Sequence, residues 1–394
     1  MRKWLLVSFA VVSLILVGVY LGTDRDTRTL LANLPSDRNV LFWSLPQRDA
    51  AFRTMDRLPV LARSRVVAAG SGVSPLAAGE PLVLDLDVDQ YMAQQRTAGL
   101  VIVQGGAVRL EKYGLGFNAA GRWTSFSVAK SLTSTLVGAA IADGYIDSVD
   151  DRVSDYIPGL RGSAYDDVSI RQLLTMTSGV AWNEDYEDRN SDVAQFNEHQ
   201  AEPGVDVTVS YMRALPRDVP AGAEWVYKTG ETNLIGVLVS AASGKQLADY
   251  LAEKIWTPYG MEQDASWLLG STGHEIGGCC LQAATRDFAR FGLFMLGGGK
   301  VNGQSILPQG WLSAATRKQA DIGVPGRGYG YQWWTYDDGS YAAQGIFGQG
   351  IFIDPARELV IASNSNWPRA RGVDGESEQR QAFYRAVQAA VDRE

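Results

Sequence analysis

The chain has 394 residues, 46% hydrophobic and 20% charged, an ordinary globular balance in a sequence too long for one simple core, so two lobes or domains are expected. Its formal charge of −8, from 36 basic and 44 acidic residues, argues against nucleic-acid binding, which calls for a basic face. The cysteines, Cys279 and Cys280, are neighbours and the histidines, His199 and His274, stand apart, so no metal-ligand spacing exists and no metal or cofactor is expected.

Residues 1–22 read as a membrane segment. Arg2 and Lys3 precede Trp4 to Leu21, which carries no charge; at about 1.5 Å per residue such a helix spans about 27 Å, close to a hydrocarbon core of about 30 Å. No small-x-small cleavage site stands near Leu21, which favours an uncleaved transmembrane anchor over a removed signal peptide. The basic flank then stays in the cytoplasm and the body lies on the outer, periplasmic or extracellular, side. Residues 23–80 read as a lead-in, with Phe42-Trp43 and Leu58-Pro-Val-Leu61 apolar enough to pack on the body.

The body, residues 81–394, opens with a helix predicted within Asp85–Arg96 and a hairpin turning on Gly105-Gly106. A long run of small and aliphatic residues follows, Ser127-Val-Ala-Lys130 to Ala142, uncharged between Lys130 and Asp143, and reads as a buried helix whose first turn starts near Ser127. Residues three apart share a helix face, so the Ser127 hydroxyl and Lys130 amine point into one cleft. The helix start offers unpaired N–H groups where an oxyanion would form. A lysine buried there tends to lose its proton and can serve as a base.

Ser169 caps a helix stopped at Ser178-Gly179. The acidic stretch 183–202 reads as a solvated loop. A loop carrying Tyr227 leads into a second small-residue helix ending near Ser243-Gly244, and Gln246–Ile255 and Thr285–Leu296 follow as helices. Tyr329–Tyr336, Tyr341–Phe347, Gly350–Asp354 and Leu359–Ser363 read as strands, and Ser377–Asp392 as a closing helix. Strands at both ends with helices between predict an α+β fold: one antiparallel sheet built from both termini, flanked by helices, with a helical lobe inserted. Adjacent Cα atoms lie about 3.8 Å apart, short of the about 4.4–6.8 Å usual for a disulfide. Cys279 and Cys280 are therefore expected as unpaired, buried thiols, a strained vicinal disulfide being the alternative.

Several motifs carry a family resemblance. They are Phe126-Ser-Val-Ala-Lys-Ser131, Leu173-Leu-Thr-Met-Thr-Ser-Gly179, Tyr227 with Gly230-Glu-Thr-Asn-Leu-Ile-Gly236, Gly277-Gly278 ahead of Ala284-Thr-Arg-Asp-Phe-Ala-Arg-Phe-Gly292, and Phe347-Gly-Gln-Gly with Ile353-Asp-Pro355. Over roughly residues 40–390 the chain resembles the serine β-lactamase-related superfamily, in the branch of class C β-lactamases, D-Ala-D-Ala carboxypeptidases and esterases. Within it the chain is most similar to the 6-aminohexanoate-dimer (nylon-oligomer) hydrolases. The resemblance implies a β-lactamase/transpeptidase-like fold and a serine hydrolase of small amides or esters. It implies Ser127 as nucleophile, Lys130 as holder of the proton network and Tyr227 as general base, then acid. It further implies the N–H groups of Ser127 and Ile346 as the oxyanion hole, with Tyr186 and Gly345 lining the substrate site.

Two departures stand out. The usual Y-x-N is Tyr227-Lys228-Thr229, and the usual K-T-G or H-x-G is Ala343-Gln344-Gly345. The second lacks the cation that meets a substrate carboxylate, which weighs against penicillin turnover and favours a substrate without that carboxylate. Lys228 is a candidate stand-in; its plainer reading is a surface lysine. A peptidoglycan carboxypeptidase or β-lactamase is the alternative activity, and a non-catalytic sensor or scaffold the alternative of another class.

Overall fold

Two stretches far apart in sequence meet in the middle of one sheet. The computed structural model describes residues 2–57 and 62–394; the apolar run 58–61 lies outside the described residues. Five strands form the centre of the sheet: β1 (Thr97–Gln104), β2 (Ala107–Tyr113), β3 (Tyr341–Gln344), β4 (Gly350–Asp354) and β5 (Leu359–Ser365). They run antiparallel in the order β3-β4-β5-β1-β2, with Arg327–Tyr329 and Trp334–Tyr336 beyond β3 and Ala77–Ala78 added parallel to β2. The seam between the two ends of the body is β5 on β1, where Ile361 faces Ile102 and Val360 faces Val103. The β1–β2 hairpin turns on Gly105 (φ 57°) and Gly106 (φ 78°), as expected.

Period-two alternation sends the central strands into two cores. Val101, Val103, Ile351 and Val360 share a core with helix Thr285–Leu296 and with residues 129–140. Leu100, Ile102, Phe352 and Ile361 face Phe383, Tyr384 and Val387 of the closing helix. Both faces are covered, so β1 is a near-continuous apolar run.

Five helices matter below: α1 (Arg2–Gly22), α2 (Ala129–Ala142), α3 (Thr229–Ser243), α4 (Thr285–Leu296) and α5 (Glu376–Val391). α2 and α3 pack together, and most of each is buried on all sides, which accounts for their small, uncharged sequences. A second, four-stranded sheet links Ser64–Val67, Ala265–Leu268, Leu281–Ala283 and Trp123–Thr124, and its last strand delivers the chain to Ser127. From the lead-in, Leu30, Trp43, Phe52 and Met55 share a buried cluster with Trp123, Phe126 and Phe347.

Several expectations change. The transmembrane helix is not supported: Trp4–Leu21 lies in α1, but among the described residues no helix is long and apolar enough to cross a membrane. The strand expected over Tyr329–Tyr336 is broken at Gln332 (φ 64°). Its buried amide donates to the carbonyls of Leu173 and Leu174 (3.1 and 2.9 Å) and accepts from Thr232 Oγ1 (2.6 Å). Cys279 and Cys280 are not free thiols but form a vicinal disulfide.

Candidate active site

Ser127 sits just ahead of α2 rather than within it, in the 3-10 turn Phe126–Val128. Phe126 adopts φ 42°, a left-handed conformation costly for a bulky residue. Packing holds it there: its ring lies 4.9 Å from Phe52 and 5.1 Å from Phe347. The neighbouring strand pins the same turn, since Ser125 N–H donates to Leu281 O (2.8 Å) and Ser125 Oγ accepts from Leu281 N–H (3.0 Å).

Lys130 is 1% exposed, in the first turn of α2. Its amine donates to Gly278 O (2.9 Å) and Thr229 Oγ1 (3.1 Å). Burial pushes its pKa down to about 7, with the Glu184 carboxylate pulling the other way. A neutral amine has two N–H groups and one lone pair; with both donors engaged, the lone pair is left as an acceptor. Gly278 has to be glycine, because a Cβ there would stand 2.8 Å from Lys130 Nζ and 3.0 Å from Thr229 O.

Tyr227 comes in from the loop ahead of α3. Its ring stacks on Trp334 (5.6 Å, 19°) and meets Tyr329 edge-on (6.2 Å, 82°), and Lys130 Nζ lies 5.4 Å from its centroid. Burial, then the Glu184 charge, push the phenol well above its ordinary pKa, and a hydrogen bond with the Ser127 side chain acts against them. The phenol is therefore protonated and uncharged at rest, and of the three expected catalytic groups the amine is the one poised to take up a proton near pH 7.

Glu184, which the sequence reading assigned to a solvated acidic loop, is instead 7% exposed and central to the site. It accepts from Tyr186 OH (2.7 Å), Thr229 N–H (2.9 Å), Thr229 Oγ1 and Trp182 Nε1. The Thr229 hydroxyl donates a hydrogen bond to Glu184 and accepts one from Lys130, linking amine and carboxylate. Thr229 occupies the Asn position of Y-x-N, so that departure replaces an amide with a relaying hydroxyl. Lys228 is neither a surface lysine nor a stand-in cation: it is 1% exposed, its amine 3.8 Å from the buried Glu231.

Two cavities adjoin here. One of about 810 Å³ is bordered by Tyr227, Gly345 and several arginines. A smaller one, about 240 Å³, is bordered by Ser127, Phe126, Trp43 and the cysteine pair. Trp182, Tyr186 and Ile346 belong to both walls. Gly345 has no space for a side chain, since a Cβ would lie 2.7 Å from Gln349 Oε1 and 2.9 Å from Ser125 O. Tyr186, 6% exposed, is held by Glu184 with Arg371 5.0 Å from its ring centroid.

The β-lactamase family model matches residues 84–383, which takes in Ser127, Lys130, Tyr227 and the sheet behind them. The chain belongs to the β-lactamase family. It is 31% identical over 325 residues to a 6-aminohexanoate-dimer hydrolase of Paenarthrobacter ureafaciens, covering 76% of this chain and 82% of that protein. It is 26% identical over 189 residues to a β-lactamase of Pseudomonas fluorescens, covering 46% of this chain and 49% of that one. Among solved structures, one from Bacillus anthracis provisionally named a 6-aminohexanoate-dimer hydrolase superposes with a TM-score of 0.76 at 21% identity, over 87% of this chain and 95% of that one. A class C β-lactamase superposes with a TM-score of 0.57 at 16% identity, over 77% and 93% of the two chains. At those identities the superpositions speak for the fold alone. This β-lactamase-family chain is a serine hydrolase acting on amide or ester bonds.

Proposed function

We propose that this enzyme hydrolyses small amides or esters through an acyl-enzyme on Ser127. The observation that carries the reading is the single buried hub of Ser127, Tyr227, Lys130, Thr229 and Glu184, with the amine poised to be neutral near pH 7. Ser127 Oγ forms the new bond to the substrate carbonyl carbon as its proton passes to the Tyr227 oxygen and the Tyr227 proton passes to Lys130. On collapse the carbon–nitrogen or carbon–oxygen bond breaks, and Tyr227 protonates the leaving atom and is reprotonated from Lys130. Water then takes the place of Ser127 by the same relay. The oxyanion would be met by the N–H groups of Ser127 and Ile346; neither donates to another backbone carbonyl outside its own turn. Tyr186 and Gly345 would border the bound substrate.

Fluorophosphonate labelling tests this directly. Wild type is expected to label once, at Ser127, and Ser127→Ala to lose labelling and turnover while keeping its thermal transition; an unlabelled, folded wild type would support a non-catalytic scaffold instead. The relative named as a 6-aminohexanoate-dimer hydrolase makes small linear amides the first substrates to try.

A further inference from the structure

The two cavities that share Trp182, Tyr186 and Ile346 as walls carry different chemistry, and the difference points to the shape of the substrate. In the larger one, Arg380 of α5 is 4% exposed and has no carboxylate partner among the described residues. Its guanidinium lies 4.7 Å from the Trp367 ring centroid, Nη2 donates to Gln344 Oε1 (2.8 Å), and Nε and Nη1 have no hydrogen-bond partner. Arg327 lies 5.5 Å from the rings of both Trp334 and Tyr336, and its Nε is likewise unpartnered.

The other charged side chains on this wall each have a hydrogen-bond partner, and Asp185 is exposed to solvent. Arg369 pairs with Glu187 (2.6 Å), Arg371 donates to the Glu184 carbonyl (2.7 Å), Glu184 holds its four donors, and Asp185 accepts from Glu187 N–H (2.9 Å). A buried cation without a counter-ion is costly, and a carboxylate offering charge-assisted hydrogen bonds offsets that cost. The smaller cavity differs. Leu41, Trp43, Phe126, Ile276 and the Cys279–Cys280 disulfide give it apolar walls, and among the described residues its one charged lining side chain is Arg38, a cation.

Tyr227, which hands the proton to the leaving atom, opens on the arginine-bearing cavity, and Ser127 opens on the apolar one. We infer that the substrate joins an uncharged, apolar acyl group, seated beside Ser127, to a leaving group that carries a carboxylate, seated under Arg380 and Arg327. This rests on the acyl-enzyme reading above and adds the charge pattern of the two halves. The apolar cavity has no acid to receive an ammonium on the acyl chain, and Arg38 repels one.

Four amides separate the halves: hexanoyl or 6-ammoniohexanoyl on the acyl side, each joined to 6-aminohexanoate or to its terminal carboxamide. In wild type the hexanoyl carboxylate is expected to exceed the hexanoyl carboxamide in kcat/KM by about ten- to a hundredfold, the size of a charge-assisted contact. Arg380→Gln should collapse that ratio towards one. The hexanoyl amide should also exceed its ammoniohexanoyl counterpart. Equal wild-type rates for carboxylate and carboxamide overturn the anionic half without any variant having to fold, and a faster ammoniohexanoyl amide overturns the acyl half. No turnover of any of the four by protein that labels at Ser127 overturns the whole inference; no turnover with no labelling is instead a failure of the hydrolase reading.

Discussion

At the scale of single residues, the proposed mechanism depends on which atoms hold protons. Burial lowers the Lys130 pKa and the Glu184 charge acts against it, which leaves the amine near 7. The amine has to be unprotonated to accept the serine proton, so kcat/KM is expected to rise with pH through about 7. Glu184→Gln removes a negative charge that favours the ammonium, so the Lys130 pKa falls and the acidic limb of the pH–rate profile moves to lower pH; a limb that stays in place would exclude Glu184 from tuning the amine. Tyr227→Phe keeps the ring stacked on Trp334 and removes only the hydroxyl. It is expected to lower kcat by about 10²–10⁴-fold with a wild-type melting temperature, the span typical of a lost acid–base group. An unchanged rate would take the phenol out of the mechanism.

At the scale of elements, the site depends on how closely helices and strands approach. α4 lies against the central sheet because two glycines leave room: a Cβ at Gly99 would collide with Thr285 Oγ1, and one at Gly292 with the side chain of Val360. Thr285 Oγ1 also accepts from the buried Asn364 (2.9 Å), so it cannot simply turn away. Gly99→Ala is therefore expected to cost about 1–3 kcal/mol, the usual size of an overpacked core, read as a lower urea midpoint at unchanged slope. A neutral result would mean that α4 can slide outward without loss. α5 covers one face of the sheet with Phe383, Tyr384 and Val387, and through Arg380 it also reaches Gln344, the neighbour of Ala343, which stands where related motifs carry a cation. The helix at the end of the chain thereby returns a positive charge to the rim of the site from another direction.

At the scale of the whole molecule, the residues nearest the chemistry come from every part of the chain. The lead-in supplies Trp43 and Leu41 to the apolar cavity and Phe52 to the ring cluster that holds Phe126 in its left-handed turn. The sheet is closed by pairing β5 with β1, more than two hundred residues apart, which brings Gly345-Ile346 beside Ser127. Local pattern carried much of this. Small uncharged runs marked α2 and α3, alternation marked the strands, and the spacing of Ser127 and Lys130 marked one part of the candidate site, to which the family resemblance added Tyr227. Those signals survive in one dimension because helix period, strand period and short motifs are properties of neighbouring residues.

Other features depend on distant neighbours and have no local trace. An acid in a run of acids is indistinguishable from the rest until Trp182, Tyr186 and Thr229 close around Glu184. Lys228 and Arg380 are ordinary cations on paper; folding buries both, giving one a carboxylate and the other a cavity. Cys279 and Cys280 are joined where Cys280 takes up a positive φ, a conformation that adjacency alone does not predict. Composition and periodicity thus settle which elements form and which reactive groups are present. Burial, partnership and charge state arise only when remote segments exclude water from the same space.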